Sequence, residues 1–325
     1  MYAARTSRRA VLTSLAAVVT GTLLLAGCGD DGDDAVSAGK ATTTRSITDA
    51  QGRTVQVPAD PKKVVTLSEP TLDAALALGV RPVGATAGRG QTGVSTYLAD
   101  KATSAEVVAT VAEADLEKLA ALHPDLILLD ETTGAKTQLA KLQAIAPTVV
   151  TAKLNADWKD AFTATANALN EKAQGEKILT GFDADVAATK AKLGANAGAV
   201  VSVVRWQDGA PSVVGKGVGH VGSTLSALGL TRPADQQGAS VGHSEPVSLE
   251  KLSTIDGDWL FFGTLGDTAE GEKAYAEAVK VPNFSKLNVQ KKGHVVVVQG
   301  SAWNSAGGPL AARIVLDDVT KALAP

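Results

Sequence analysis

Cysteine is nearly absent from this 325-residue chain: Cys28 stands alone, so no disulfide framework is available and the fold must rest on packing. Histidine is as sparse. His123, His220, His243 and His294 lie far apart, none in an HxH or HxxxH arrangement, which removes the close-spaced donors that bare zinc or manganese would require. No spaced carboxylate pair and no metal motif stands out, so no reaction class follows from the residues. Positive charge is not in excess either, with 31 Lys and Arg against 34 Asp and Glu, and nucleic acid is not an expected partner. The one long apolar run, residues 10–26, is broken by Thr13, Ser14, Thr20 and Thr22 and is shorter than the roughly 20 residues a membrane-crossing helix needs.

What that run does offer is an export signal. Arg8 and Arg9 precede it and Leu25-Ala26-Gly27-Cys28 closes it, the order of a signal peptide over residues 1–27 cut in front of a cysteine to be acylated. Ser7-Arg8-Arg9-Ala10-Val11-Leu12 is similar to the twin-arginine signal, although Val11 replaces the usual Phe and Thr13 the usual Lys, and the export route stays open. One acyl chain anchors only marginally, so a multiply acylated Cys28 is expected at the membrane surface. Residues 28–44, rich in Asp and Gly, read as an acidic flexible tether. Losing Arg5, Arg8 and Arg9 with the signal leaves 28 basic against 34 acidic side chains, a mildly acidic mature chain.

Beyond the tether, short β-branched runs alternate with helical stretches, and frequent glycine with few aromatics fits α/β units joined by short turns. The runs at 64–67 and 126–130 are nearly continuously apolar, as parallel strands covered on both faces are. The plan then repeats: Leu116-Glu117-Lys118-Leu119 before the strand from Asp125 returns, 133 positions later, as Leu249-Glu250-Lys251-Leu252 before the strand from Asp258. Between the halves, residues 157–169 and 171–193 have helical spacing. The second stretch, with Ile178, Phe182, Val186, Thr189 and Leu193 on one face, is long enough at 1.5 Å per residue to span roughly 35 Å. The expected fold is α/β: two Rossmann-like lobes, residues 45–156 and 197–325, joined through a helical connector, 157–196, whose long interlobe helix limits hinge motion about a cleft.

The succession of KKVVTLSEPTLDAALALGVRPVGAT, LEKLAALHPDLILLD, IAPTVV, an interlobe helix, VSLEKLSTIDGDWLFF, GHVVVV and AWNSAGGPLAARIVLDDV resembles the substrate-binding proteins for ferric siderophores, haem and vitamin B12, over about residues 45–323. The resemblance implies a monomeric, lipid-anchored binder on the extracytoplasmic face, without a cofactor, that passes an iron chelate to an ABC importer. A siderophore is favoured, and haem and cobalamin remain open. It also implies that an arginine in the position of Arg89 and an aromatic in the position of Trp303 line the pocket, and that Glu117 and Glu250 meet arginines on the two permease subunits.

Ligands of parallel α/β lobes sit at the carboxyl ends of the strands, and four segments follow such ends. They contribute Arg89, Arg205, Trp206 and Trp303, guanidinium donors and aromatic faces suited to the oxygens and organic skeleton of a chelate. Gly217-Val218-Gly219-His220-Val221-Gly222 spells GxGxxG, but no apolar strand ending in an acid follows, so it reads as a glycine turn whose helix amides face an anion, with Lys216 and His220 as further candidates. An enzyme on the same lobes would need clustered Cys or His ligands, which are missing. A surface-interaction module would not need a polar and aromatic cleft.

Overall fold

The computed structural model describes residues 43–239 and 244–324. The export signal, Cys28, the tether up to residue 42, and His243 lie outside the described residues. The first elements are an antiparallel hairpin, β1 (Thr44–Thr48) and β2 (Thr54–Pro58), paired from Thr44 with Pro58 to Thr48 with Thr54. Alternation along it buries Ile47 and Val57 against the first lobe and leaves Thr44, Ser46 and Thr48 in solvent.

The first lobe is a parallel sheet in the order β5-β4-β3-β6-β7. Its strands are β3 (Val64–Thr66), β4 (Gly84–Thr86), β5 (Glu106–Ala109), β6 (Leu126–Leu129) and β7 (Thr148–Val150). Central β3 and β6 pair from Val64 with Leu126 to Thr66 with Leu128, and every residue of both is buried, which is why their sequences are apolar but for Thr66 instead of alternating. Helix α1 (Glu69–Ala77) begins where sequence demands it: Ser68 caps it through Thr71 N, Thr71 answers to the Ser68 backbone, and Pro70 occupies the first turn. Helices α2 (Leu116–Ala121) and α3 (Leu139–Gln143) complete the crossovers.

Helix α4 (Trp158–Ala168), expected in the connector, packs with Phe162 and Ala166 in the same core as Val64, Ala74, Ala75 and Leu126, so it is a layer of the first lobe. The long bridge is α5 (Lys172–Lys192), 21 residues and about 32 Å long, and Trp158 at the start of α4 joins it in the second-lobe core. Helix α5 lays Ile178 and Leu179 on the first-lobe core and Phe182 and Val186 in the second-lobe core, anchoring one rigid rod in both.

The second lobe holds β8 (Val201–Gln207), β9 (Ala210–Val213), β10 (Glu245–Pro246), β11 (Trp259–Gly263) and β12 (Val295–Val297), in the order β10-β9-β8-β11-β12. β8, β11 and β12 pair in parallel, whereas on the other edge β9 runs against both of its neighbours, β8 and β10. The cause is Asp208-Gly209, both at positive φ (54° and 79°), a two-residue hairpin turn of the kind Asp-Gly favours. Helix α6 (His220–Ala227) follows this hairpin, and α7 (Thr268–Ala278), α8 (Asn288–Lys292) and α9 (Gly300–Trp303) follow in turn. The last helix, α10 (Pro309–Leu323), buries Val315, Leu316, Val319 and Leu323 in the second core and also packs on α1 of the first lobe.

The repeated blocks hold equivalent places, since α2 leads into β6 and residues 249–255 into β11, but the second copy is a 3-10 helix kinked at Lys251. Asp115 caps α2 through Lys118 N at 3.1 Å, whereas Ser248 makes no side-chain cap.

Candidate ligand-binding cleft

The carboxyl ends of the first-lobe strands and the loops of the second lobe enclose a cavity of about 340 Å³, within the size range of small-molecule sites. One wall carries Arg89 after β4, Asp130 and Thr132 after β6, residues 152–156 after β7, and Trp158 and Ala161 of α4. The facing wall carries residues 214–221 and 303–307. The sequence-selected residues divide in this arrangement.

Arg89 is on the lining, half-buried, with its backbone N–H donating to Glu69. Arg205 stands just off the lining, its Nη2 donating to Ser244 Oγ at 2.7 Å. The two guanidiniums come from opposite lobes yet are close enough that Arg89 lowers the Arg205 pKa, second to the effect of burial. Neither pairs with a carboxylate among the described residues, and the Nε of each is buried without a hydrogen-bond partner. Two cations therefore converge on one cleft with unused donors, an arrangement whose electrostatic complement is an anion.

Trp206 is corrected by the structure. β8 does not end at Val204 but runs on to Gln207, and strand alternation sends Trp206 to the face away from Arg205, 4% exposed, against Phe262 and Phe284 at 5.6 and 5.7 Å. It fills the second-lobe core and lies off the cavity lining. Trp303 does line the cavity, but only 1% exposed: it stacks on Phe261 at 4.5 Å and its Nε1–H donates to Asp318 at 2.8 Å. It is a fixed wall. Trp158, not selected from sequence, lines the same cavity from the first lobe and donates through Nε1 to Ser223 Oγ of the second at 2.8 Å.

Lys216 lines the cleft with its ammonium committed to both Glu245 oxygens at 3.1 Å and to the Asp235 carbonyl at 3.3 Å. His220 opens α6 on the lining and is 4% exposed; burial drives its pKa down to about 4, and the neutral ring donates from Nε2 to the Ala302 carbonyl at 2.6 Å. The glycine turn before it is held tightly, because a Cβ on Gly222 would fall 2.3 Å from the Gly217 carbonyl oxygen. Arg232 braces it from behind, its Nη1 and Nη2 donating to the Gly215 and Val214 carbonyls at 2.9 Å. Glu117 and Glu250 are exposed, one on each lobe, and outside the cleft lining. Among the described residues no cluster of His, Cys, Asp or Glu is placed to hold a metal ion.

Three buried carboxylates, Asp130 on the cavity wall and Glu69 and Asp73 behind it, have no counterpart among the residues that the sequence singles out. Asp130 (1% exposed) accepts from Thr132 N at 2.8 Å and from Thr132 Oγ1 at 2.5 Å. Glu69 and Asp73 lie on α1, and both accept hydrogen bonds from the second lobe. Burial raises the pKa of all three, Asp73 to about 6. An acid closing the apolar run 126–130 and the Ser-Glu-Pro after 64–67 were the available signals, since both sit at strand ends.

A rigid two-lobed body whose strand ends converge on a polar, cationic cleft is the architecture of a solute-binding protein. Residues 64–302 match the periplasmic binding protein family, and the chain belongs to it. The probable siderophore-binding lipoprotein YfiY of Bacillus subtilis is 32% identical over 304 residues, covering 91% of this chain and 93% of the relative. The petrobactin-binding protein YclQ of the same organism is 30% identical over 310 residues, 90% and 92%. Among solved structures, Staphylococcus aureus SirA complexed with staphyloferrin B superposes with a TM-score of 0.70 at 26% identity, covering 86% of this chain and 98% of that one.

The buried titrating pair predicts a pH dependence. Asp73, at about 6 against an ordinary 3.8, keeps a proton that the unfolded chain releases, so its ionisation removes stability as pH rises from about 4 to 6. His220, at about 4 against 6.5, refuses a proton that the unfolded chain takes up, so stability is lost as pH falls from 6.5 to 4. The trends oppose one another over one window. Asp73→Asn should therefore lose on the order of 3 kcal/mol more than wild type between pH 6.5 and 4 in urea titrations, and equal slopes would contradict the assignment.

Proposed function

We propose that the chain is an extracytoplasmic binding lipoprotein that captures an anionic ferric siderophore and delivers it to an ABC transporter. The observation that carries this reading is the convergence of Arg89 and Arg205 from opposite lobes with no ion pair to either among the described residues. A chelate bearing carboxylate, hydroxycarboxylate or catecholate oxygens supplies the missing charge, and a guanidinium fork matches such oxygens two at a time. The names of the relatives support a siderophore over haem or cobalamin: a siderophore-binding lipoprotein, a petrobactin-binding protein and an Fe(3+)-citrate-binding protein, the last 28% identical over 323 residues. These are binding proteins, and binding without covalent chemistry is the reading for this chain.

Lipid attachment at Cys28 is part of the proposal, supported by the lipoprotein names of two relatives and by Leu25-Ala26-Gly27-Cys28. So is docking through Glu117 and Glu250: each is exposed, each starts the element that precedes a central strand of its lobe, and neither contributes to the cleft.

Tryptophan-fluorescence titration with ferric citrate, ferric catecholate and ferric hydroxamate complexes, haem and cobalamin tests the ligand. The anionic ferric chelates should quench with saturation, and Arg205→Ala should weaken that binding about ten-fold to a hundred-fold at unchanged thermal midpoint. Wild-type binding of haem or cobalamin alone, or equal curves for the variant, would overturn the assignment. For docking, Glu117→Ala with Glu250→Ala should remove most uptake in vesicles reconstituted with the permease while leaving the titration unchanged; normal uptake would return both acids to helix-start capping.

A further inference from the structure

Glu69 and Asp73 are four residues apart on α1, hence on one helix face, 3% and 0% exposed, and that face is turned toward the second lobe. Neither lines the cavity. Yet two residues that Glu69 holds, Arg89 and Ser305, do. One Glu69 oxygen accepts from the Arg89 backbone N–H at 3.3 Å and from the Ser95 hydroxyl, which closes the loop that carries Arg89; the other accepts from Ser305 Oγ at 2.5 Å, on the opposite cleft wall. Asp73 accepts from Tyr97 Oη and from the backbone N–H groups of Leu310 and Ala311, all at 2.9 Å.

Those two amides are the unpaired first-turn donors of α10. The helix has no cap of its own, since Gly308 at its N-cap has no side chain, and a Cβ there would stand 2.9 Å from Asp73 Oδ1. An acid of the first lobe thus caps a helix of the second, 237 and 238 positions away in the chain. The same joint is laced by Thr96 Oγ1 with Ser301 Oγ at 2.8 Å and by Gln91 Nε2 donating to the Leu265 carbonyl at 2.8 Å. The loop bearing Arg89 is suspended between lobes by hydrogen bonds at both ends.

We infer that Glu69 is a positioning residue for ligand binding: its buried carboxylate ties the Arg89 loop to Ser305 across the cleft and so presents the Arg89 guanidinium in one orientation, with Asp73 holding the α10 side of the same joint. This rests on the reading of the cleft as a chelate site but adds a residue that touches no ligand. A carboxylate suits the task because it alone accepts from three donors at once, where leaving any of them unpaired in a buried setting is costly.

Two measurements on the full chain test it. Without ligand, hydrogen exchange in Glu69→Ala should rise in segments 88–97 and 305–311 together while α7 is unchanged; exchange that rises in one segment only, or in neither, overturns the inference whatever the protein binds. With ferric citrate or a ferric catecholate as probe, Glu69→Ala should weaken binding about ten-fold, Glu69→Gln should restore most of it through its amide oxygen and NH₂, and Glu69→Ala should cost nothing further in an Arg89→Ala background. Additive losses in that cycle would make Glu69 merely structural. If Glu69→Ala does not fold, Ser95→Ala, which removes one partner outside the cavity lining, should show the same loss only when Arg89 is present. A wild type that binds neither probe refutes the chelate reading, and the exchange result still decides the joint.

Discussion

Two guanidinium groups brought together from separate lobes repel one another, and among the described residues neither forms an ion pair that would offset this. That repulsion is tolerable only if the lobes cannot drift apart to relieve it. The fold meets the requirement with one continuous helix seated in both hydrophobic cores through Ile178, Leu179, Phe182 and Val186, and with a hydrogen-bonded joint at the base of the cleft built on Glu69 and Asp73. Preorganisation of this kind places the unfavourable energy in the unliganded protein, where an arriving anion releases it.

The same constraint explains why so many polar side chains near the cleft are already satisfied by the protein. Lys216 is neutralised by Glu245, His220 is kept uncharged and bonded to Ala302, Trp303 is fixed to Asp318, and Arg232 is spent on loop carbonyls. Among the described residues, Arg89 and Arg205 are the cleft guanidiniums that bring charge from opposite lobes without an ion pair, each with a buried Nε that has no partner.

Much of the frame is legible in the sequence because local chemistry dictates it. Nearly continuously apolar runs at 64–67 and 126–129 form the buried parallel strands, Ser68 and Asp115 cap the helices that follow, and the periodicity of residues 172–192 gives the bridging helix. Trp206 was misread because the strand continues past Val204, although Asp208-Gly209 carried the hairpin signal that extends it. The joint was illegible for a different reason. Glu69 and Ser305, or Asp73 and Ala311, meet only through tertiary packing, and nothing local to either residue announces a partner more than two hundred positions away.

The central claim is that a preorganised cationic pair selects an anionic iron chelate. Calorimetric titration of ferric chelates matched in size but differing in net charge, at low and high salt, tests it most directly. Affinity should rise with negative charge and weaken as salt increases. A neutral chelate bound as tightly as its anionic counterpart, with no dependence on salt, would contradict it.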